Sequence, residues 1–401
     1  MNRLERIRAL TIRATSKIVL VVMDGLGGLP HPDTGATELE TARIPNLDRL
    51  AAGGSCGLVD PLGCGLTPGS GPAHLALFGY DPFEFVIGRG ILEAVGVDFP
   101  ILDEDVAARG NFCTVDEHGL IVDRRAGRIS TEECTILCEK LSQITFDGYQ
   151  VFVVPVKSHR FLLVFRGKNL SADLDDSDPS QVGVEPNQIT ALSAAAGKTA
   201  ALANEWVARA REVLADSGPA NMALLRGFSA RPRLPSMQEV YKLNAAGIAA
   251  YPMYRGLAKL VGMQVVECGS SIADEFFTLS SYYHSFDYFF LHIKATDTAG
   301  EDGDFDEKVR VLEEVDEAIP ILTALEPDVI IATGDHSTPA ALRGHSWHPV
   351  PLLLSSRWCR PDDVVEFSER ACTRGGLGRF PTLDVMPLAL ANALRITKYG
   401  A

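Results

Sequence analysis

Three apolar runs of this chain end in acidic residues, and this pattern limits the fold more than any other feature. Residues 18–22 lead to Asp24, residues 288–293 lead to Asp297, and residues 329–332 lead to Asp335. Short apolar runs of this kind are typical of strands in a parallel sheet that is covered on both faces. Ligands of such sheets bind outside the carboxyl ends of the strands, so the three carboxylates are expected to converge on one site.

Histidines follow the third run closely. His336 comes directly after Asp335, and His345 lies nine positions further along the chain, with His348 as an alternative to it. Carboxylate and imidazole groups are typical ligands of divalent metal ions. The residues therefore predict an enzyme with a site for two metal ions.

A serine in a glycine-rich turn is the candidate nucleophile. Ser70 lies in the turn at residues 67–71 and precedes the apolar, helix-like residues 75–78, so it is expected near a helix amino terminus. A metal-bound hydroxyl has a lowered pKa and can act as a nucleophile. Serine is also a common helix cap, and this alternative stays open. His74 is expected to pack behind the site rather than to bind metal.

Composition restricts the class of partner. The chain has 401 residues and a net charge of −15, which argues against broad binding to nucleic acid or to an anionic membrane. A small metabolite, held in a local basic pocket if it is anionic, is the expected partner. Eight cysteines without CxxC spacing, and no amino-terminal signal or long apolar span, predict a reducing, cytoplasmic setting.

The patterns along the chain indicate an α/β core with an insertion. Residues 1–85 and 242–401 show the βα pattern, whereas residues 86–241 are richer in turns and contain a hairpin-like segment at residues 151–165. Apolar residues at helical spacing between the second and third runs predict a right-handed crossover, which places Asp297 and Asp335 at neighbouring strand ends. The basic residues 1–15 are expected to form an irregular arm.

A set of short motifs spans nearly the whole chain, from residue 17 to about residue 395. They are Asp24-Gly25, Pro68-Gly69-Ser70 with His74-Leu75, Gly79-Tyr80-Asp81-Pro82, Thr296-Asp297 with Ala299-Gly300, Thr333-Gly334-Asp335-His336-Ser337-Thr338-Pro339, and His345-Ser346 before Pro349-Val350-Pro351. In this order and spacing they resemble the cofactor-independent phosphoglycerate mutases of the archaeal type, which belong to the alkaline phosphatase superfamily.

The resemblance implies a fold and a separate role for each of its two domains. The fold is an alkaline-phosphatase-like α/β core with a central, mostly parallel sheet, interrupted by a smaller inserted α/β domain. Residues 1–85 and 242–401 would form the metal-binding catalytic core. Residues 86–241 would bind substrate and cover the active-site cleft, so that domain closure is part of the catalytic cycle.

The resemblance also implies two sets of metal ligands. The first set, which includes the phosphorylated nucleophile, is Ser70, Asp24, Asp335 and His336. The second set is Asp297, the residue at position 301 and His345. The family usually has histidine at position 301, where this chain has Glu301, with Asp302 as an alternative ligand. A carboxylate favours Mn²⁺, with Mg²⁺, Co²⁺ and Zn²⁺ as alternatives.

The activity implied is interconversion of 2-phosphoglycerate and 3-phosphoglycerate through a phosphoserine, in glycolysis and gluconeogenesis, without 2,3-bisphosphoglycerate. Asp123 would act as acid or base toward the glycerate hydroxyls. Cations would hold the phosphate and carboxylate of the substrate, and the candidates are Arg124, Arg125, Arg128, His159, Arg160, Arg226, Arg231, Arg255 and Lys294. For each arginine of the 124–128 run, a solvated surface position is an equal alternative.

Two other functions stay open. One is a metal-dependent phosphotransferase or phosphatase that acts on another small phosphate compound, for example a homoserine kinase-like enzyme, which Glu301 and Arg255 leave open. The other is a binding or regulatory protein that keeps the fold without efficient chemistry. The sequence does not determine the oligomeric state, and a homo-oligomer is compatible with it.

Overall fold

The three apolar runs form strands of one sheet in the computed structural model, which describes residues 2–400. They are β1 (Ile18–Met23), β10 (Tyr288–Ile293) and β11 (Val329–Thr333). Every residue of the three strands is buried. Continuous burial of apolar strands is the expected pattern for a sheet covered on both faces.

β1 lies between the other two strands. It pairs in parallel with β10 and with β11, and Val22 is opposite both His292 and Thr333. The three carboxyl ends therefore reach the same edge of the sheet. The expectation that Asp297 and Asp335 follow neighbouring strands is wrong, because β1 separates β10 from β11.

Five further strands complete this sheet within residues 2–400. They are β2 (Ser55–Asp60), β8 (Ala245–Ala249), β9 (Gln264–Val265), β12 (Val350–Ser356) and β13 (Gly378–Pro381). The order is β13-β2-β12-β11-β1-β10-β8-β9. Among these strands β12 alone runs antiparallel to its neighbours. The predicted α/β core with a mostly parallel central sheet is confirmed.

Eleven α-helices accompany this sheet in the described residues. They are α1 (Arg3–Leu10), α2 (Glu38–Thr41), α3 (Pro45–Ala52), α4 (Ser70–Leu77), α8 (Met237–Tyr241), α9 (Pro252–Leu260), α10 (Ile272–Tyr282), α11 (Ala295–Asp302), α12 (Phe305–Thr323), α13 (Glu369–Cys372) and α14 (Val385–Asn392). No helix within residues 2–400 has both the length and the apolar character needed to cross a membrane.

The first of these helices corrects an expectation. Residues 1–15 were expected to be irregular, but α1 forms a helix that the side chain of Asn2 caps by accepting the backbone N–H of Glu5. Arg3 holds the helix in place through an ion pair with Asp384, at 2.6 Å. Local capping together with a distant partner therefore orders a segment that is basic and weakly apolar.

The predicted crossover helix is α12. Its buried face includes the carboxylate of Asp316, which accepts the backbone N–H groups of Asn46 at 3.0 Å and Leu47 at 2.7 Å. α3 begins at Pro45 and has no side-chain cap of its own. Asp316 therefore satisfies the free N–H groups of α3 from a neighbouring helix and places a negative charge at its positive end.

The chain separates into two compact units, and the smaller one comprises Ile87–Arg233. Residues 234–241, assigned to the insert from the sequence, belong to the larger unit and include α8. The strands of the smaller unit are β3 (Asp105–Val115), β4 (Ile121–Asp123), β5 (Gln150–Lys157), β6 (Arg160–Arg166) and β7 (Met222–Ala230). Its helices are α5 (Arg89–Gly96), α6 (Thr131–Leu141) and α7 (Gly197–Leu214).

The sheet of the smaller unit is antiparallel. β3 pairs with β4, β6 and β7, and β5 pairs with β6, so the predicted hairpin is the β5–β6 pair. Helices α6 and α7 share one hydrophobic core with this sheet, centred on Phe112, Phe161 and Trp206. The smaller unit therefore has a core of its own.

Candidate metal centre

Two groups of acidic residues and histidines lie at the carboxyl edge of the larger sheet. In each group the candidate ligand atoms lie within 4.8 Å of one another. The first group is Asp24, Asp335 and His336, and the second is Asp297, His336 and His345. The structure thus brings together five of the residues that the sequence analysis selected as ligands, with His336 at the junction of the two groups.

Ser70 lies beside the first group. Its Oγ is 3.3 Å from Nε2 of His336, and the same nitrogen is 3.3 Å from Oδ1 of Asp24 and 3.2 Å from Oδ2 of Asp335. Ser70 is the first residue of α4, whose N-cap is Gly69, and no side chain caps this helix. The alternative of Ser70 as a helix cap is therefore wrong, and its hydroxyl faces the ligands instead.

Glu301 lies next to the second group. Its Oε1 is 3.8 Å from Nε2 of His345, and the same nitrogen is 3.8 Å from Oδ1 of Asp297. Asp302 instead lines a cavity of about 470 Å³ that Lys294 also lines. Of the two candidates at this point, Glu301 is the one that approaches the histidine.

Hydrogen bonds to neighbouring groups determine which ring nitrogen is unprotonated in His345 and in His336. Nδ1 of His345 lies 2.9 Å from the carbonyl oxygen of Pro68, and a carbonyl only accepts, so Nδ1 carries the proton. The hydroxyl of Thr338 donates to Oδ1 of Asp297 at 2.6 Å and therefore accepts from Nδ1 of His336 at 3.0 Å. In both rings Nε2 keeps its lone pair and faces the carboxylates, as a metal ligand requires.

The loop after β1 must approach this centre closely. Gly25 has a φ of +65°, and a Cβ at this position would lie 2.6 Å from the hydroxyl oxygen of Thr338 and 2.7 Å from Oδ1 of Asp297. Its backbone N–H donates to Oδ1 of Asp335 at 3.1 Å. Glycine is therefore required here for both the backbone conformation and the close contact.

The buried oxygens provide a test of whether a metal ion fits. Oδ1 of Asp24 and Oδ2 of Asp335 are buried and have no hydrogen-bond partner. A buried carboxylate is costly unless it is paired or coordinates a metal. Unpaired oxygens that face the lone pair of a histidine are the donor set of a divalent cation, so the residues of the centre fit such an ion.

Electrostatics keep these carboxylates ionised. Burial raises the pKa of Asp335, but His336, His74 and His292 lower it more, and the result lies below the usual range. For His336, burial outweighs the neighbouring carboxylates and lowers the pKa. Charged carboxylates beside a neutral imidazole are the protonation states in which these groups bind metal.

Lys294 is the cation nearest to this negative charge. Its Nζ lies 3.3 Å from Oδ2 of Asp24 and also contacts Oδ2 of Asp297. Burial lowers the pKa of Lys294, but the two carboxylates raise it more, so it stays protonated. The lysine, predicted as a substrate contact, thus links the acids that follow β1 and β10.

Sequence analysis missed His292. This residue of β10 places Nε2 3.2 Å from Oδ2 of Asp24, and its ring stacks on Tyr254 at 3.6 Å. The ring of His74 lies 5.1 Å from that of His292, centroid to centroid, and its Nδ1 is 3.2 Å from Oδ2 of Asp335. The signal that could have identified His292 is a histidine inside an otherwise apolar strand.

In the smaller unit a cavity of about 540 Å³ is lined mainly by cations. Six of its lining residues were selected from the sequence: Arg124, Arg125, Arg128, His159, Arg160 and Arg226. Arg89, Arg109 and Lys157 also line it and were missed. Burial, together with Arg160, Arg125 and Arg128, lowers the pKa of His159 to about 4, so this ring is neutral at pH 7.

The arginines of this cavity differ in their partners. Arg124 forms two hydrogen bonds with Asp178, at 2.9 and 2.8 Å, and Arg226 also approaches this carboxylate, at 3.3 Å. Within residues 2–400 no carboxylate forms an ion pair with Arg125, Arg128 or Arg160. The cavity therefore has an excess of positive charge that suits an anionic ligand.

The remaining predicted residues lie in other contacts. Asp123 accepts the backbone N–H groups of Gly127 and Arg125, which hold its pKa below the usual range. Arg231 pairs with Asp103 at 3.4 Å and is absent from the described lining of the basic cavity. Arg255 forms an ion pair with Glu267, with Nη1 2.8 Å from Oε2.

Known sequences match nearly the whole chain. A family profile described as 2,3-bisphosphoglycerate-independent phosphoglycerate mutase matches residues 51–221. A protein from Thermosipho africanus, named a probable 2,3-bisphosphoglycerate-independent phosphoglycerate mutase, is 49% identical over 391 residues that cover 96% of each chain. A protein of the same name from Thermus thermophilus is 48% identical over 400 residues that cover 98% of each chain.

Solved structures agree with these sequences. The cofactor-independent phosphoglycerate mutase from Thermoplasma acidophilum matches with a TM-score of 0.76 and 30% identity, covering 94% of this chain and 99% of that one. A protein from Pyrococcus horikoshii matches with a TM-score of 0.81 and 31% identity, covering 97% of this chain and 100% of that one. The likeness therefore extends over both units.

The parallel sheet and the carboxylate–histidine groups at its carboxyl edge define an α/β metalloenzyme. The relatives narrow this class to one reaction. The chain belongs to the 2,3-bisphosphoglycerate-independent phosphoglycerate mutase family, which confirms the resemblance noted in the sequence. Membership makes it an isomerase that depends on divalent metal ions.

Proposed function

We propose that this chain interconverts 3-phosphoglycerate and 2-phosphoglycerate in glycolysis and gluconeogenesis, with Ser70 as the residue that carries the phosphoryl group. The main support is the position of Ser70 Oγ, 3.3 Å from Nε2 of His336 within a buried set of carboxylates. The relatives, which share the name of this activity, add independent support. No 2,3-bisphosphoglycerate takes part, because the serine itself holds the phosphoryl group between the two half-reactions.

The same residues are proposed as two metal sites. The first comprises Ser70, Asp24, Asp335 and His336. The second comprises Asp297, Glu301 and His345. Bound there, divalent ions supply a lowered pKa for the Ser70 hydroxyl and neutralise charge on the transferring phosphoryl group. The short distances between the candidate ligand atoms within each set support two neighbouring sites, and His336 lies close to the ligands of both.

Mn²⁺ is proposed as the ion in both sites. Four of the proposed ligands are carboxylates and two are imidazoles, and this mixture suits Mn²⁺ better than the softer donor sets that favour Zn²⁺. Glu301 contributes to this preference, because a hard oxygen donor stands where the family usually has the nitrogen of histidine. Mg²⁺ also prefers oxygen ligands, and Co²⁺ binds both oxygen and nitrogen ligands.

Ser70 gains further support from its position at the start of α4. The amino terminus of a helix carries a partial positive charge and free N–H groups, and both stabilise a bound phosphate. α4 has eight residues, long enough for this effect. Lys294, with its ammonium beside Asp24 and Asp297, is proposed to contact the transferring phosphoryl group.

The smaller unit is proposed to bind the substrate. A phosphoglycerate carries a phosphate and a carboxylate, and planar guanidinium groups bind both through paired hydrogen bonds. Arg125, Arg128 and Arg160 support this role, because they line the basic cavity without a carboxylate partner. Asp123 is ionised at neutral pH, the state that a general base toward a glycerate hydroxyl requires.

The enzyme is proposed to work in the cytoplasm. All eight cysteines are free, including Cys134 and Cys138, whose sulfur atoms lie 4.0 Å apart. Unpaired cysteines persist in a reducing compartment, whereas proteins of oxidising compartments tend to pair them. The substrates of the proposed reaction are small and water-soluble, which fits this setting.

The test is direct conversion of 3-phosphoglycerate by the purified chain, loaded with Mn²⁺ and free of 2,3-bisphosphoglycerate. We expect 2-phosphoglycerate to form, to stop forming on chelation, and to form again when Mn²⁺ is restored. Absence of conversion by a chain that demonstrably binds Mn²⁺ would contradict the proposed substrate. Release of inorganic phosphate instead would indicate a phosphatase, and Glu301→His would then be the first variant to examine.

Replacing Arg160 by alanine should raise the KM for 3-phosphoglycerate roughly 10- to 100-fold and change kcat less. The reason is that a charge-assisted hydrogen bond to a ligand is worth about 1.5–3 kcal/mol, and a contact made equally in the ground and transition states appears in KM. Steady-state kinetics measure both constants. The matched control is Arg209→Ala, since Arg209 is an arginine of the same unit that pairs with Glu205 on the exposed side of α7. Equal KM values for the two variants would contradict the proposed contact.

A further inference from the structure

Lys308 is a buried cation for which the proposed reaction gives no role. It lies in the first turns of α12, and its side chain is completely inaccessible to solvent. Its Nζ donates to the carbonyl oxygens of Gly25 at 2.9 Å, Gly27 at 3.2 Å and Thr338 at 2.9 Å. An ammonium group has three donors, so all of its hydrogen-bonding capacity is used on these backbone oxygens.

The three carbonyl oxygens belong to the two loops that carry candidate ligands. Gly25 and Gly27 follow Asp24, and Thr338 follows His336. The loops are also joined to each other, because the N–H of Thr338 lies 3.1 Å from both glycine carbonyl oxygens. Lys308 therefore completes a junction between the loop after β1 and the loop after β11.

Each of these loops touches a ligand that a different strand provides. The N–H of Gly25, in the loop after β1, donates to Oδ1 of Asp335 at 3.1 Å. The hydroxyl of Thr338, in the loop after β11, donates to Oδ1 of Asp297 at 2.6 Å and contacts Nδ1 of His336. A shift of the loop after β1 would therefore move a ligand of the first group, and a shift of the loop after β11 would move ligands of both groups, although Lys308 touches none of them.

Carboxylates surround the same junction and compensate the buried charge. Oε1 of Glu38 lies 4.0 Å from Nζ of Lys308 and accepts the N–H of Ala340 at 2.8 Å. Glu369 accepts the N–H of Gly28 at 2.8 Å. A buried ammonium with hydrogen bonds on every donor and a carboxylate nearby is tolerated, whereas the loops lose a shared anchor if it is removed.

We propose that Lys308 is a positioning residue of the metal centre, which holds the loops after β1 and β11 in the one arrangement that brings Asp24, Asp297, Asp335 and His336 within ligand distance. The inference rests on the proposed metal sites. It assigns to α12 a function beyond the crossover between strands, namely to fix the spacing of ligands that belong to separate strands.

The direction in which Mn²⁺ affinity changes when Lys308 is replaced distinguishes a positioning role from a purely electrostatic one. A cation near a metal site repels the metal ion, so removing only its charge would tighten metal binding. Removing an anchor has the opposite effect, because ligands that are no longer preorganised bind metal more weakly. The variant Lys308→Met removes the charge and the donors while keeping most of the volume, and the direction of its effect decides between the two.

The experiment is titration of the full chain with Mn²⁺ alone. Calorimetry and the electron paramagnetic resonance signal of free Mn²⁺ both measure the binding. For Lys308→Met we expect the Kd to rise about tenfold or more, the size typical of residues that support metal ligands. The matched control is Arg395→Met. Arg395 is equally inaccessible and donates to the carbonyl oxygens of Ala14 and Ser16, which carry no ligand. This control should lose thermal stability and keep its Mn²⁺ affinity.

Three results would overturn the proposal: Mn²⁺ affinity of Lys308→Met equal to or higher than that of the unsubstituted chain, the same loss of affinity in Arg395→Met, or no Mn²⁺ binding by the unsubstituted chain. If Lys308→Met does not fold, Lys308→Gln replaces it. Gln has a shorter side chain and two amide donors for three carbonyl oxygens, so it weakens the anchor, and its Kd should also rise. An unsubstituted chain that binds Mn²⁺ but does not convert phosphoglycerate would contradict the proposed function and leave the role of Lys308 to these titrations.

Discussion

Replacing Ser70 by alanine should reduce conversion of 3-phosphoglycerate by about 10,000-fold or more. No other hydroxyl group is proposed to hold the phosphoryl group, so both half-reactions are lost together. The ligands Asp24, Asp335 and His336 remain, so Mn²⁺ should still bind to the variant. Transfer of radioactive phosphate from substrate to protein should disappear at the same time, which identifies the loss as chemical and not as a failure to bind metal.

The control for Ser70 uses another serine at a helix start. Ser236 accepts the backbone N–H of Glu239 at the start of α8, so Ser236→Ala should lower stability by about 1 kcal/mol and leave turnover intact. Ser70 makes no such capping bond, so Ser70→Ala should leave the melting temperature nearly unchanged. Turnover retained by Ser70→Ala would exclude the phosphoserine route, and a large loss of stability would indicate a structural role instead.

The elements nearest the candidate centre were the ones that sequence patterns predicted well. β1 consists of apolar residues, and β10 and β11 are apolar except for His292 and Thr333, a composition that burial on both faces favours. Asp24, Asp297 and Asp335 follow these strands within a few residues, so the geometry of a parallel sheet suffices to bring them to one edge. The helix at 305–323 was also predicted, because its apolar residues recur at helical spacing over several turns.

Other features depend on contacts that a sequence does not display. The order of strands in the sheet placed β1 between β10 and β11, a result of non-local pairing that the crossover argument alone did not contain. α1 was missed because its stability comes from the Asn2 cap and from Arg3, whose partner Asp384 is 381 positions away. Neither contact leaves a periodic apolar signal.

The supporting residues of the centre were missed for a similar reason. Thr338 and Lys308 act through atoms of Asp297, Gly25 and Gly27 that become neighbours only after folding. A lysine in an amphipathic helix is ordinarily assigned to the solvent face, so Lys308 gave no sign of burial. The sequence therefore predicts which residues at the strand ends are candidate ligands. The hydrogen bonds that orient those residues become apparent only in the structure.

Replacing Asp335 by asparagine should weaken Mn²⁺ binding by about 100-fold or more, because even the loss of a group that merely supports a ligand costs 10- to 100-fold. The amide keeps the shape of the side chain and removes the charge that faces Nε2 of His336 at 3.2 Å. Conversion of 3-phosphoglycerate should fall with metal occupancy. Titration with Mn²⁺ and the rate at saturating Mn²⁺ measure the two effects separately.

The change of melting temperature that Mn²⁺ causes in Asp335→Asn provides the sharper argument. Burial raises the pKa of Asp335, but His336, His74 and His292 lower it more, so the ionised carboxylate contributes to the stability of the fold before Mn²⁺ is added. Asparagine removes this contribution, so the melting temperature without metal should fall, and the rise that Mn²⁺ normally causes should be lost. Asp316→Asn is the matched control, since that buried carboxylate caps α3 and its loss should lower the melting temperature and leave the response to Mn²⁺ intact. If Asp335→Asn lowers stability as Asp316→Asn does but still responds to Mn²⁺, Asp335 serves the fold rather than the metal, and the first proposed site loses its central carboxylate.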